Sequence, residues 1–209
     1  MPINKLPDFL KEHYKENFKL INKRLEDFKQ VQQSEYFYEL VYCLCTPQSK
    51  ASNAEIVVKL LKQGEFYQNP FDPTPILEEK SHYIRFHNTK AARIQSARKK
   101  FDNIIEILNQ DTSLKNKRIL VKSEISGFGM KESSHFLRNI GYRGLAILDR
   151  HILDMLVMCN VFEKVPKVAT VEQYISVENS FKVFADDIKI SIDVLDLLFW
   201  SYKTGDVLK

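Results

Sequence analysis

The stretch GFGMKESSHFLRNIGYRGLAILDRH, residues 127–151, decides how the rest of the chain is interpreted. Gly127 and Gly129 separate two apolar helical patterns, and two glycines at this spacing allow a tight turn between two helices. Lys131 falls in the first turn of the second helix, and Asp149 follows eighteen positions later, just before another apolar run. The stretch therefore predicts two helices joined by a glycine hairpin, with a third helix after them.

The glycine hairpin has two interpretations. A Gly-x-Gly pair also occurs in dinucleotide-binding folds, but this one follows a helix, lacks a third glycine and belongs to no strand–helix–strand unit. Between two helices, the hairpin instead leaves backbone N–H groups at the start of the second helix free to face an anion. A DNA phosphate is the natural ligand. Gly127 and Gly129 are therefore candidate DNA-binding residues.

Lys131 and Asp149 each have an ordinary and a chemical interpretation. A cation in a first helical turn opposes the helix dipole by a few tenths of a kcal/mol to about 1 kcal/mol, so helix stability does not explain Lys131. Lys131 is either a phosphate or solvent contact or, as a neutral amine, a nucleophile. Asp149 is either the N-cap of the next helix or a carboxylate that stabilises positive charge on a sugar ring. Together, Gly-Phe-Gly-x-Lys and Leu-Asp-x-His favour covalent attack on a DNA sugar.

Apolar residues recur at three- and four-residue steps along most of the chain, which predicts an all-α protein. No stretch of four or more residues shows convincing alternation, although 165–175 is ambiguous. Three prolines in 69–75 exclude a regular element there. The predicted helices cover 14–28, 37–44 with an end near Thr46-Pro47, 54–61 with Ser52 or Asn53 as cap, 94–108, 114–125, 130–140, 148–157 and 192–202 with Gly205 as its end.

Composition limits the class of protein. The 209 residues are 44% apolar with a net charge of +4, and seven Lys or Arg and no Asp or Glu fall between Lys80 and Lys100. That region favours a polyanion. No apolar run approaches the roughly 20 residues of a membrane span, and the first residues do not resemble a signal peptide, so we expect a soluble intracellular protein. The three cysteines lack metal-site spacing, and Cys43 and Cys45 are expected to be small buried residues.

Residues 127–141, GFGMKESSHFLRNIG, and ILDRHIL at 147–153 resemble the second type of 8-oxoguanine DNA glycosylase/lyase. That family belongs to the helix-hairpin-helix glycosylase superfamily, which includes endonuclease III. Two further stretches are similar to DNA-facing parts of the superfamily. LCTPQSKA at 44–51 resembles a helix-end segment, and RFHNTKA at 85–91 resembles the loop that supplies an intercalating wedge. The resemblance covers nearly the whole chain.

The resemblance implies a role for each matching residue. Lys131 would be the nucleophile and Asp149 its essential partner, while Gln48 and Phe86 would occupy the gap left by an extruded nucleotide. Apart from the resemblance, Phe86 is equally well explained as a core aromatic. The family ends in a short tail with a lysine near the base pocket, so Lys209 and its terminal carboxylate, with Trp200, are candidate contacts to the damaged base. The ordinary alternatives are a frayed terminus and a core tryptophan.

The implied fold is a two-lobed helix-hairpin-helix DNA glycosylase with the DNA groove between the lobes. Residues 1–30 with 144–209 would form one helical lobe, and 31–143 a helical barrel lobe. The implied function is bifunctional: excision of 8-oxoguanine through a lysine Schiff base in base excision repair, then β-elimination that cleaves the strand 3′ to the abasic site. No metal or cofactor is expected, since the cluster-binding cysteines of the endonuclease III branch are absent.

The expected partner is damaged double-stranded DNA, bound by a monomer in a prokaryotic cytoplasm without a membrane contact. Two other functions stay open at this point. One is a glycosylase/lyase for oxidised pyrimidines that uses the same two residues. The other is a non-catalytic helix-hairpin-helix module, since such a hairpin commonly serves only to grip phosphates.

Overall fold

The computed structural model describes residues 6–207, and these residues form eleven α-helices and no β-strand. This confirms the predicted all-α class. The helices are α1 (Asp8–Lys29), α2 (Tyr36–Cys45), α3 (Ala51–Gln63), α4 (Thr74–Glu78), α5 (His87–Lys99), α6 (Phe101–Asn109), α7 (Leu114–Glu124), α8 (Met130–Asn139), α9 (Arg150–Met158), α10 (Val171–Ile188) and α11 (Ile192–Thr204).

The chain divides into two compact units. The terminal unit takes the described residues up to Gln30 and those from Leu137 onward, and the central unit is Val31–Phe136. The division in the structure therefore falls within α8, whereas the sequence prediction placed it between residues 143 and 144.

The central unit is built around α2, in which every residue except Tyr36 and Glu39 is buried, as expected of a helix within a core. Helices α3 and α5 pack against α2, and α6 packs against α7. The ring of Phe37 lies 6.1 Å from that of Phe66 and 5.4 Å from that of Phe101. These ring contacts hold the start of α2 in place. The end of α2 therefore also has a defined position, close to the first turn of α5.

The terminal unit is built around α11, against which α1, α9 and α10 pack. The rings of Phe181 on α10 and Phe199 on α11 stack at 5.7 Å and are fully buried. A capping box of Thr170 and Gln173 starts α10. This packing places the beginning of α9, and hence Asp149, on a rigid frame.

The structure differs from two helix predictions and from the prediction that 69–75 holds no regular element, since α4 begins at Thr74. The predicted helix 94–108 is broken at Lys100, where α5 ends and α6 begins. Helix α3 begins at Ala51 after Lys50, so Ser52 and Asn53 lie inside it and do not cap it. The ambiguous stretch 165–175 contains the start of α10, a long helix whose capping box marks its true beginning.

Candidate active site

Gly127 makes the turn between α7 and α8. Its φ is +90°, a conformation that strains any residue with a side chain. Next to it, the N–H of Phe128 donates to the carbonyl of Ile125 at 3.1 Å, and the Phe128 ring is buried. The hairpin is therefore anchored by one apolar side chain, while Gly127 itself stays exposed.

The Arg93 side chain covers Gly127. A Cβ added at Gly127 would lie 2.6 Å from the Cδ of Arg93, so any larger residue would displace this side chain. Arg93 lies on α5 inside the basic stretch 80–100. The hairpin and that stretch thus share one surface of the central unit.

We expect Gly127→Ala to destabilise the fold by about 1–3 kcal/mol through backbone strain and to weaken DNA binding by displacing Arg93. The matched control is Gly144→Ala. Gly144 has a φ of +86° but nothing within 4 Å of an added Cβ, so it tests the strain alone. Thermal unfolding and DNA binding of both variants check this. Equal DNA affinities for the two variants would contradict a role for Arg93 at the hairpin.

Lys131 lies in the first turn of α8 with its side chain 26% exposed, and its Nζ is 3.1 Å from Oε1 of Glu132. The other oxygen of Glu132 accepts the N–H of Gly129 at 3.0 Å. One carboxylate therefore joins the hairpin backbone to the lysine. The N–H of Gly129 is used by the protein, so an anion at this helix end would meet the remaining N–H groups of the first turn.

Other cations lie near Lys131. Burial, together with the charges of Lys131 and Arg93, lowers the pKa of Lys90 to about 8. These charge effects show that Lys90, Arg93 and Lys131 lie in one region of the central unit. Such a region suits a phosphate backbone.

Asp149 caps α9. Its Oδ1 accepts the N–H of Ile152 at 2.9 Å, which confirms the predicted N-cap. Within residues 6–207, no hydrogen bond reaches its Oδ2, and the side chain is partly exposed. Because the cap uses only Oδ1, the Oδ2 atom of Asp149 is available for a role in a reaction.

Residues 144–148, here called the strap, lead into Asp149 as an irregular segment that is buried from Leu145 onward. Its N–H groups donate to side chains of α10 and α11. These bonds join Gly144 to Asp193 at 3.1 Å, Ala146 to Glu178 at 2.8 Å and Leu148 to the hydroxyl of Tyr174 at 3.0 Å. Because buried N–H groups require partners, these side chains fix the path of the backbone into Asp149.

Asp196 adds an electrostatic contact behind the strap. Its carboxylate accepts a hydrogen bond from Nη1 of Arg138 at 2.8 Å, and both side chains are almost fully buried. Burial, together with the charge of Asp149, raises the pKa of Asp196 to about 7, and Arg138 opposes the shift. Asp149 and Asp196 therefore interact within the terminal unit.

Sequence reasoning missed this set of buried acids. Asp193 and Asp196 belong to none of the motifs described from the sequence, but they are 6% and 4% exposed and hold the strap and Arg138. Their spacing of three residues inside the apolar run of α11 was the available signal, since such a spacing places both on one helix face.

The candidate DNA-contacting residues Gln48 and Phe86 share an unusual backbone. Their φ values are +57° and +62°, and both side chains are exposed, Phe86 at 51%. The core-aromatic alternative for Phe86 is therefore wrong. The guanidinium of Arg85 lies over the Phe86 ring at 4.9 Å. Non-glycine residues held at positive φ are concentrated at functional sites.

Several basic side chains of the stretch 80–100 are bound within the protein, so they are less available to DNA than the sequence suggests. Lys90 is buried, Arg98 donates to the carbonyl of Tyr67 at 2.6 Å, and Lys100 donates to the carbonyl of Glu124 at 3.2 Å. Three of the seven basic side chains are therefore engaged in contacts within the central unit. Arg85 and Arg93 remain placed beside the Phe86 ring and the hairpin.

The base-pocket candidates are only partly covered by the structure. Trp200 lies on α11, where it is partly exposed while Phe199 and Ser201 are buried. Lys209 lies outside the described residues. Val207, at the end of them, is buried.

No group of three or more metal-ligating side chains occurs among residues 6–207. Cys43, Cys45 and Cys159 are free thiols, and all three are buried, as predicted for Cys43 and Cys45. No helix in the same residues is long and apolar enough to cross a membrane.

Known proteins resemble this chain over most of its length. A family model described as 8-oxoguanine DNA glycosylase matches residues 21–190. An 8-oxoguanine DNA glycosylase/AP lyase of Fusobacterium nucleatum is 34% identical over 206 residues, which cover 94% of each chain. Another from Methanocaldococcus jannaschii is 35% identical over 195 residues, which cover 91% of this chain and 92% of the relative.

Solved structures agree with these relatives. The Methanocaldococcus jannaschii 8-oxoguanine glycosylase/lyase, solved with a 15mer DNA containing 8-oxoguanine, matches with a TM-score of 0.84 at 33% identity over 99% of each chain. The 8-oxoguanine DNA glycosylase of Thermotoga maritima matches with a TM-score of 0.82 at 28% identity, covering 97% of this chain and 99% of the other. The resemblance inferred from the hairpin is confirmed, and this chain belongs to the 8-oxoguanine DNA glycosylase family.

Proposed function

We propose that this protein excises 8-oxoguanine from DNA and then cleaves the strand at the resulting abasic site. The observation that carries the proposal is Lys131, a partly exposed amine in the first turn of the helix after a glycine hairpin, within a chain of this family. Helix stability does not explain a cation there, whereas a role in nucleophilic attack explains it.

In the proposed reaction, the Lys131 ammonium first loses a proton to water, and the Nζ lone pair that this frees forms a bond to the sugar C1′ while the bond from C1′ to the base nitrogen breaks. The base leaves with the bonding electrons and takes up a proton. Opening of the sugar ring, with the C1′–O4′ electrons going to O4′, gives a Schiff base. Loss of a proton from C2′ then expels the 3′ phosphate, and water releases Lys131 from the imine.

Asp149 is the proposed electrostatic partner in this reaction. The sugar becomes positively charged as the base leaves, and a fixed carboxylate stabilises that charge. The strap and the cap hold Asp149 before substrate binds, so little reorganisation is needed during the reaction. Preorganisation of this kind is the usual source of large electrostatic effects in catalysis.

The proposed substrate form is damaged double-stranded DNA, from which the target nucleotide must be extruded before an amine can reach C1′. Gln48 and Phe86 are proposed to fill the vacated stack, and Trp200 to stack on the extruded base. One chain carries all these residues, so we propose that a monomer acts. The relatives named above come from prokaryotes, and we propose the prokaryotic cytoplasm as its location.

A panel of duplexes, each with one defined lesion, tests the proposed specificity. We expect base release and strand cleavage at 8-oxoguanine to exceed those at 5-hydroxycytosine, thymine glycol or undamaged guanine by at least about tenfold, since hydrogen-bonding pockets discriminate strongly. Denaturing gels with and without alkali separate the lyase product from the glycosylase product. Preference for an oxidised pyrimidine would support the first alternative, and binding without any cleavage would support a DNA-binding module.

A further inference from the structure

Lys90 is a buried cation with an unusual set of partners. The side chain is 3% exposed, and its ammonium donates to the carbonyls of Cys45 and Pro47, both at 2.7 Å, and to Oγ of Ser49 at 3.3 Å. The last carbonyls of a helix lack intrahelical partners, so Lys90 completes the end of α2. These acceptors also define the backbone on both sides of Gln48.

Lys90 is equally connected to Phe86. Its own backbone N–H donates to the carbonyl of Phe86 at 3.0 Å. The hydroxyl oxygen of Ser49, which accepts from the Lys90 ammonium, also accepts the N–H of Arg85 at 3.0 Å. A single lysine and one hydroxyl therefore join the loop that carries Gln48 to the loop that carries Phe86.

Both joined residues have a strained backbone. Gln48 and Phe86 both hold positive φ values and expose their side chains, and such a conformation persists only when its surroundings enforce it. The Lys90 ammonium holds the loop that carries Gln48, and Ser49 links that loop to the loop that carries Phe86. A second brace, from the Asn53 amide to the carbonyl of Tyr83 at 3.0 Å, holds the same pair of segments at their outer end.

We propose that Lys90 is a positioning residue that sets the separation and backbone conformation of Gln48 and Phe86, so that the two side chains enter the DNA stack as one unit. This proposal rests on the proposed function, in which both residues fill the gap left by an extruded nucleotide. Lys90 does not touch DNA itself. Its effect on substrate is exerted entirely through the two loops.

The first test is Lys90→Met, which keeps the length and burial of the side chain but removes its donors. We expect Lys90→Met to weaken binding of a duplex with a tetrahydrofuran abasic analogue about tenfold, the size expected for the loss of one base-stacking contact. Fluorescence anisotropy at one fixed salt concentration measures this, because affinity for DNA depends steeply on salt. Ser49→Ala, which disturbs the fold less, should weaken binding in the same direction.

A double-mutant cycle separates positioning from simple stabilisation. In a chain that already carries Gln48→Ala and Phe86→Ala, adding Lys90→Met should change the affinity for the same duplex by less than about twofold. A residue that acts only through the two side chains has nothing left to position once they are removed. A merely structural lysine would weaken binding equally in both chains.

Lys117→Met is the matched control. Lys117 is also a buried lysine that donates to the carbonyls of a helix end, those of Leu108 and Gln110 after α6. The Lys117→Met variant should lose about as much thermal stability as Lys90→Met and should keep the unmodified protein's affinity for the abasic duplex. If Lys117→Met weakens binding as much as Lys90→Met, or if Lys90→Met acts equally in both backgrounds, the proposal is overturned. The binding assay requires no base excision, so its result does not depend on whether the protein cleaves any duplex of the lesion panel.

Discussion

Replacing Lys131 by glutamine is expected to abolish the covalent protein–DNA adduct that borohydride traps from an 8-oxoguanine duplex. Borohydride links protein to DNA only by reducing a Schiff base between them, and glutamine has no amine to form one. We also expect excision of 8-oxoguanine to fall on the order of 1,000-fold or more, the usual scale for loss of a nucleophile. The adduct is measured by its shift on a denaturing protein gel, and excision by single-turnover kinetics.

The fold should tolerate this change. Lys131 is partly exposed and its ion pair with Glu132 lies at the surface, so its loss should alter the free energy of unfolding by no more than about 1 kcal/mol. Lys131→Gln should also still bind the lesion duplex. Retained folding and binding with no adduct would assign the defect to chemistry.

Two other lysines serve as controls for the adduct. Lys122→Gln on α7 changes a nearby lysine with no proposed role and should trap normally. Lys90→Met should also trap, because the Lys90 ammonium is enclosed by three oxygen acceptors and cannot reach a sugar. Trapping that survives Lys131→Gln but disappears in another lysine variant would assign the nucleophile elsewhere.

What could be predicted from the sequence here depends on how local each feature is. The glycine hairpin, the start of α8 and the Asp149 cap arise from neighbouring residues, and all three are found in the structure. Turn and cap preferences act within a few residues, so a single sequence displays them. The break between α5 and α6 at Lys100 has no such marker, because neither glycine nor proline stands there.

Features set by tertiary packing were harder to predict. Lys90 stood among seven basic residues and was counted as DNA-facing, yet the carbonyls it serves lie more than forty positions earlier in the chain. The strap likewise depends on Tyr174 and Glu178, far along the chain from the backbone groups that they bind. A charged residue in a sequence gives no sign of whether its partner is solvent, DNA or a distant carbonyl.

Asp149→Asn is expected to slow base release on the order of 100-fold or more while the fold stays intact. Asparagine caps helices about as well as aspartate, so the free energy of unfolding should change by less than about 0.5 kcal/mol. The negative charge that opposes the developing positive charge on the sugar is lost, and removal of one electrostatic stabiliser commonly costs this much in rate. Single-turnover excision and thermal unfolding measure the two effects.

The control for capping is Ser191→Ala, which removes the N-cap of α11 in the same unit, where Ser191 accepts the N–H of Val194. It should cost about 1 kcal/mol of stability and leave the rate of the folded enzyme unchanged. Asp149→Ala removes cap and charge together, so it should match Ser191→Ala in stability and Asp149→Asn in rate. That pattern assigns the two functions of Asp149 to separate physical causes.

The opposite pattern would mean that Asp149 is only a cap. In that case Asp149→Asn would excise 8-oxoguanine at the normal rate, and Asp149→Ala would lose only the stability that Ser191→Ala loses. The structure argues for the first pattern, because the Asp149 carboxylate is more elaborately placed than a cap requires. A cap needs one oxygen and one N–H. The strap also holds the backbone that leads into Asp149, and the charge of Asp149 raises the pKa of the buried Asp196, so the carboxylate at position 149 acts beyond the cap.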